Sequence, residues 1–273
     1  MSTSPASAPS AVRVLGAFCW HELHTRDRRR AAEFYTKLIG WTTAGSTNPA
    51  DGWYTEWVTR TGVHVGGMMD MPQGTAPEVP PSWAVYVNVD DVDDAARRTV
   101  ALGGRLLAEP IDVPQIGRLC PIADPTGAVV HLFKGINKCG EQKPDAGAGQ
   151  FCWTELLTHD PSAAERFYTQ VLGWTVTRMP MEFGEYTIFW VPGANPATKT
   201  GSAGGMMKIA PEWGPMPSSW LVYIQVDDVD RTAALIAPLG GQVFSPPCDI
   251  PGTGRFAVAA DPAGAMFAIF KPL

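Results

Sequence analysis

A carboxylate and an imidazole stand two residues apart in the run "FCWHELHT" (residues 18–25), as Glu22 and His24. Side chains alternate across a strand, so Trp20, Glu22 and His24 share one face while His21 and Leu23 share the other. A carboxylate beside an imidazole on a common face can do general acid–base work or grip a donor on a bound molecule. The run returns as "FCWTELLT" (151–158), which keeps Glu155 but puts Thr154 and Leu157 in place of both histidines. A carboxylate on a largely apolar strand is costly to bury without a partner. Glu22 and Glu155 therefore read two ways. Each lines a cavity as a base or ligand grip, or each pairs with the arginine of a "GR" dipeptide, Arg118 and Arg255. An Arg–Glu pair at a pocket mouth would also anchor a small polar group.

The elements that must position these groups come as repeats. Residues 18–41 match 151–174 at a shift of 133; "VGGMM" (65–69) matches "AGGMM" (203–207), "PSWAVYVNVDDVD" (81–93) matches "SSWLVYIQVDDVD" (218–230), and "IADPTGAVVHLFK" (122–134) matches "AADPAGAMFAIFK" (259–271). Equal shift pairs Trp57 with Trp190, and the extra residues of the second half fall in the loop-like "VPGANPATKTGSA". Each half repeats itself more faintly. Asp27 caps a helix with Ala31, Phe34, Tyr35 and Leu38 on one face, and "DDVDDAARRTVALGG" gives a second with Val92, Ala95, Ala96 and Thr99. Three strand-like runs follow each helix. The chain thus divides into a tail at 1–12, a first domain at 13–136, a linker at 137–149 and a second domain at 150–273.

Composition narrows the function. With 273 residues, 45% hydrophobic content and a net charge of −6, the chain has material for real cores and no basic footprint for nucleic acid or an anionic membrane. No run approaches the ~18 apolar residues of a membrane span. Five cysteines without a CxxC pair fit reduced thiols in a cytoplasmic protein, and Cys19 and Cys152, at equivalent positions, read as small packing residues. Phosphate-cradling and nucleophile-elbow motifs are absent from the sequence.

The "D…FY…LGW" helix, the "VDDVD" helix and the "DPxG" turn before the last strand, present in both halves, resemble the vicinal oxygen chelate superfamily. That superfamily includes glyoxalase I, extradiol dioxygenases, fosfomycin-resistance transferases and bleomycin-resistance proteins. The tandem arrangement with "FCWxEL", "GGMM" and "DPxGA" is most similar to actinobacterial two-domain proteins labelled glyoxalase-like or hydroxylase-like. The resemblance implies an α+β fold of four βαβββ modules forming two cup-shaped mixed sheets. It also implies one divalent metal per cup in the metal-using members, held from the first and last strands of each module. The first-strand ligand stands seven residues before the helix-capping Asp, which gives Trp20, Ala84, Trp153 and Leu221. The last-strand ligand stands seven residues after the turn Asp, which gives His131 and Ala268. Only His131 carries a ligand atom, so no metal is favoured. The alternative is one Fe, Zn, Ni or Mn ion on Glu22, His24 and His131, strained because strand neighbours two apart sit about 6.6 Å from each other. His64 is a further candidate. His21 is expected to face the helix layer or an interface.

The aromatic side chains of the two cups suggest the ligand. Trp20, Trp53, Tyr54 and Trp57 in the first half, with Trp153, Tyr186 and Trp190 in the second, offer stacking surfaces for planar compounds. Met68 and Met206, after the glycine pairs, offer an adaptable wall. The expectation is a metal-independent binding protein that sequesters or senses an apolar or aromatic metabolite or drug. Its ligand set is Trp20, Glu22, His24, Trp57, Met68 and Arg118 in one cup, and Trp153, Glu155, Trp190, Met206 and Arg255 in the other. The alternative is a glyoxalase-like lyase or isomerase, or an oxygenase, acting in the first domain with Glu22 and His131 as catalytic groups. A third reading leaves the cups vestigial, plugged by Trp20 and Trp153. A small molecule is the expected partner, and the chain is expected as a monomer or weak homodimer.

Overall fold

A computed structural model describes residues 13–45, 52, 54–136, 147–181 and 184–273. The tail, most of the linker and Trp53 lie outside the described residues. In the first half, β1 (Phe18–Thr25) leads to α1 (Arg28–Leu38), β2 (Thr42–Ala44), β3 (Tyr54–Val58) and β4 (His64–Asp70). The pattern restarts with β5 (Ser82–Asn88), α2 (Val92–Ala101), β6 (Arg105–Leu106), β7 (Ile111–Val113), β8 (Gly117–Ala123) and β9 (Val129–Gly135). The second half repeats this as β10 (Phe151–Thr158), α3 (Pro161–Val171), β11 (Thr175–Met181), β12 (Gly184–Trp190) and β13 (Ser202–Lys208). It closes with β14 (Ser219–Gln225), α4 (Val229–Ile236), β15 (Gln242–Ile250), β16 (Gly254–Ala260) and β17 (Met266–Pro272).

Each half forms one mixed sheet, ordered β2-β3-β4-β1-β5-β9-β8-β6 and β11-β12-β13-β10-β14-β17-β16-β15, with β7 also pairing β8. The modules meet at β1–β5 and β10–β14, both antiparallel, so the "FCWxEL" strand is central in each sheet. The helices start where the sequence says: the side chains of Asp27, Asp91, Asp160 and Asp228 each accept a first-turn N–H. Their apolar stripes are buried as the 3.6-residue period requires, with Ala31, Phe34, Tyr35 and Leu38 inside α1.

The helix-bearing faces of the two sheets pack against each other, and one apolar cluster runs through both halves. Phe34 meets Phe267 and Trp83 meets Phe151 across this junction. The opposite sheet faces carry two separate small clusters, around Tyr86 and Phe133 and around Leu157, Leu221, Tyr223 and Ala268. These are the two cups. No described helix is long and apolar enough to cross a membrane.

Simple alternation along β1 fails at one point. The register slips between Phe18 and Trp20, and likewise between Phe151 and Trp153. This bulge at Cys19 and Cys152 turns Phe18 into the junction, edge-on to Trp174 and Trp220, while Trp20 stays in its cup.

Candidate functional site: two carboxylate-floored cups

In the first cup the Glu22 carboxylate is buried at 5% exposure. Its Oε1 accepts the Tyr86 hydroxyl at 2.8 Å and faces His24 Nε2 at 2.8 Å. Trp20 Nε1 donates to the Tyr54 hydroxyl at 2.8 Å, and Tyr54 is itself hydrogen-bonded to Glu22. His131 stacks on Tyr86, with centroids 4.5 Å and planes 14° apart, and lies edge-on to His24. The Nδ1 of His131 is buried without a hydrogen-bond partner. Glu22, His24 and His131 are thus gathered on one floor.

The second cup keeps the frame and loses the imidazoles. Glu155 Oε1 accepts Tyr186 at 2.7 Å, Oε2 accepts Tyr223 at 2.9 Å, and Trp153 Nε1 donates to Tyr186 at 2.9 Å. Strand register explains the correspondence. Tyr86 lies opposite His131 as Tyr223 lies opposite Ala268, and His24 lies opposite Met69 as Leu157 lies opposite Met207. The glycine pairs serve this floor. Gly67 is the parallel-strand neighbour of Glu22, and a Cβ on it would collide with the Tyr54 hydroxyl; Gly205 stands in the same relation to Glu155 and Tyr186. The second glycine of "GGMM" lets a tyrosine reach across a whole strand to the carboxylate.

The two carboxyls titrate in opposite directions. Burial pushes Glu22 up, but the hydrogen bond and charge of His24, with the Tyr86 hydroxyl, outweigh it and hold Glu22 below the usual range. Burial also pushes Glu155 up, and there the Tyr186 and Tyr223 hydrogen bonds do not offset it. Burial, then the neighbouring His24, lower His131 to about 4. The thiols of Cys19 and Cys152 are both raised by burial, Cys152 to about 12, which fits packing rather than reactivity.

Several sequence expectations are corrected. Arg118 does not pair with Glu22, nor Arg255 with Glu155. Arg118 forks onto Asp93 and also meets Asp112, and Arg255 does the same with Asp230 and Asp249, tying α2 and α4 to their sheets' outer strands. Trp57 is fully buried in the junction against Tyr35 and Trp41, not in the cup. Its counterpart is Phe189, not Trp190: Trp57 registers with Gly66 and Phe189 with Gly204. A one-residue slip in the sequence match moved the pair to the wrong face. Trp190 is buried and donates to Thr177 on edge strand β11. Met68 and Met206 sit in the junction core, and the next residue, Met207, packs on the second cup. His64 lies half-exposed against Glu56, outside the cup floor. Tyr86 and Tyr223 were missed, although "SWAVYV" and "SWLVYI" both carry a tyrosine two residues beyond the cup-facing Ala84 and Leu221.

The metal set implied by the resemblance does not fit. Trp20 spends its only polar hydrogen on Tyr54, and Ala84, Trp153, Leu221 and Ala268 offer no ligand atom. His24 Nε2 and Tyr86 both occupy Glu22 Oε1. Among the described residues no three His, Cys, Asp or Glu side chains are grouped so as to hold an ion.

Residues 19–132 and 150–269 match the family model described as the Glyoxalase/Bleomycin resistance protein/Dioxygenase superfamily. CFP32 of Mycobacterium tuberculosis, provisionally named a glyoxylase, is 38% identical over 256 residues, covering 93% of this chain and 94% of that protein. The anthracycline biosynthesis protein DnrV of Streptomyces peucetius is 31% identical over 267 residues, covering 94% and 93%. Among solved structures, the Mn(II)-bound glyoxalase from Novosphingobium aromaticivorans superposes with a TM-score of 0.63 at 16% identity, covering 95% of this chain and 83% of that one.

Proposed function

The chain belongs to the Glyoxalase/Bleomycin resistance protein/Dioxygenase superfamily, and from that premise we propose that it is a metal-independent binding protein for an apolar, aromatic small molecule. The observation that carries this reading is the twice-built floor of one carboxylate and two tyrosines beneath aromatic walls. Such a floor gives a few convergent polar groups in an otherwise apolar concavity, the usual composition of a ligand site. DnrV, named for anthracycline biosynthesis, supports a polycyclic aromatic ligand class. The binder would sequester or sense that compound. The test is calorimetric titration of chelator-treated protein with a planar aromatic probe. Saturable micromolar binding, unchanged by chelator, is expected; binding that appears only after a divalent ion is restored would overturn the reading.

A second reading is favoured by one asymmetry: only the first cup carries imidazoles beside its carboxylate. There Glu22 would take a proton from a bound carbon or oxygen acid and His24, hydrogen-bonded to it, would carry the proton onward. This would make the first domain a lyase or isomerase, with turnover lost in Glu22→Gln while binding in the second cup persists.

A further inference from the structure

On the outside of the molecule the two halves differ along one edge. In the second sheet β15 is a single strand, Gln242–Ile250, paired along β16. In the first sheet the same stretch is cut in two, and residues 107–110 separate β6 from β7. Between this break and α2 lies an open cleft of about 390 Å³. Ala96, Val100, Leu106 and Pro110 give it an apolar lining, with Arg97 on the helix wall and Glu109 on the loop wall. Arg118 braces the two sides, since its guanidinium holds Asp93 on α2 and Asp112 on β7.

The fold does not require this lining. At the shift of 137 that relates the second modules, Arg97, Val100 and Glu109 become Ala234, Ala237 and Pro246, and α4 still buries its apolar stripe. Val100 is 56% exposed, and Leu107 and Ile111, on either side of Glu109 and Pro110 in the chain, are 45% and 49% exposed. Single exposed aliphatics are ordinary, but several around one cleft mark a contact surface. The two charges do not pair with each other. Arg97 meets Asp94 on its own helix at 3.0 Å, and among the described residues no cation pairs with Glu109.

An occupant of this cleft has to offer an anion to Arg97, a cation to Glu109 and apolar surface between them. The cleft itself offers all three when turned through a two-fold axis, because an isologous contact sets residue i against j and j against i. We infer that the α2/β6–β7 face is a self-association surface. On it a second copy of this chain places its Glu109 against Arg97 and its Arg97 against Glu109, with Val100, Leu107 and Ile111 of both copies in between. β6 and β7, of two and three residues, are too short to template strand pairing, so side chains make the contact. A small molecule suits the cleft less, because a ligand site encloses most of its occupant and this one lies open along Val100. One cleft and three aliphatics make a small interface, so the pair is weak and reversible. The inference is independent of what the cups bind.

Sedimentation of the full chain, from micromolar to millimolar loading, should show the weight-average mass rising from one chain toward two. Arg97→Glu and Glu109→Arg each set like charges against each other twice across the axis, and each should weaken the dimer by about tenfold or more. Both positions are exposed, and thermal melts check that the variants fold. An equimolar mixture of the two variants restores opposite charges at both contacts, so it should regain association, as should the double variant. A chain that stays monomeric at millimolar concentration would overturn the inference. So would dimers that both single variants keep, which would place the contact on another face. Association regained in the double variant but absent from the mixture would confine the charge pairing to one chain and overturn it equally.

Discussion

The imidazole of His21 lies on the ring of Phe151, centroids 4.0 Å apart and planes 19° from parallel, and its Nε2 meets Thr154 Oγ1 at 3.3 Å. The histidine that the second copy of "FCWxEL" lacks is thus a junction residue: it packs on the first residue of the other copy and bonds to the threonine that replaces it. Burial lowers His21 to about 3. An unfolded histidine protonates near pH 6.5. Below that value the unfolded chain binds the extra proton, so His21 withdraws about 1.4 kcal/mol of stability per pH unit as pH falls toward its folded value. His131, lowered to about 4, acts in the same sense. Urea melts between pH 6.5 and 5 should show this slope, and His21→Thr should remove about half of it. Equal slopes in wild type and variant would contradict the assignment.

The glycine under each tyrosine gives a second prediction. A Cβ on Gly205 would occupy the place of the Tyr186 hydroxyl, so Gly205→Ala must swing that ring off Glu155. Overpacking and a lost buried hydrogen bond together should cost about 2–4 kcal/mol. Adding Tyr186→Phe to the alanine variant should then cost little more, because the bond is already gone. A full additive loss in denaturant melts would show that the glycine serves something else.

Glu22→Gln and Glu155→Gln should have opposite consequences at pH 7. Glu22, held below its usual range, contributes stability that is complete above pH 4.5 and is lost as pH falls through its folded value; removing its charge should cost about 1–3 kcal/mol. Glu155, raised by burial, loses stability as pH climbs above 4.5, because the unfolded chain releases a proton that the folded one retains. Its glutamine variant should be neutral or more stable. Melts at pH 5 and pH 7.5 separate the two, and destabilisation of equal size in both variants would refute the split.

What the sequence made legible follows from what repeats and what alternates. Internal repetition exposed the fold, and the capping aspartates set the helix starts. The strand period put Trp20, Glu22 and His24 on one face. The misreadings have physical causes. A bulge at Cys19 breaks the period where no glycine or proline announces it. Trp57 and Trp190 align by letter but not by register. Arg118 was expected to pair with Glu22, but β5 and β9 lie between its strand and β1, and Asp93 and Asp112 take its guanidinium. The tyrosine floor was hidden because it joins β3 and β5 to β1 across neighbours far apart in the chain, and only the folded register brings Tyr54, Glu22 and Tyr86 together.

The junction ties the two halves together through one shared apolar cluster. Trp41 Nε1 donates to the Gly149 carbonyl at 2.6 Å, and Trp174 Nε1 donates to the Gly16 carbonyl at 2.8 Å, each reaching from one half to the turn just before the first strand of the other. Tyr35 donates to Asp261 at 3.4 Å, and the charge of Asp124 bears on Tyr168 at the equivalent place, so the "DPxG" carboxylates also reach across. The apolar faces of α1 and α3 are buried within the single shared cluster. Separating the halves would expose that face and strand the donors of Trp41, Trp174 and Tyr35. Calorimetry should therefore show one transition with equal calorimetric and van't Hoff enthalpies. Residues 13–136 expressed alone should be insoluble or self-paired, and coexpression with 147–273 should restore a soluble one-to-one complex. A monomeric, cooperatively folded 13–136 fragment would show that each sheet carries its own sufficient core, and the junction would then be an interface rather than a shared interior.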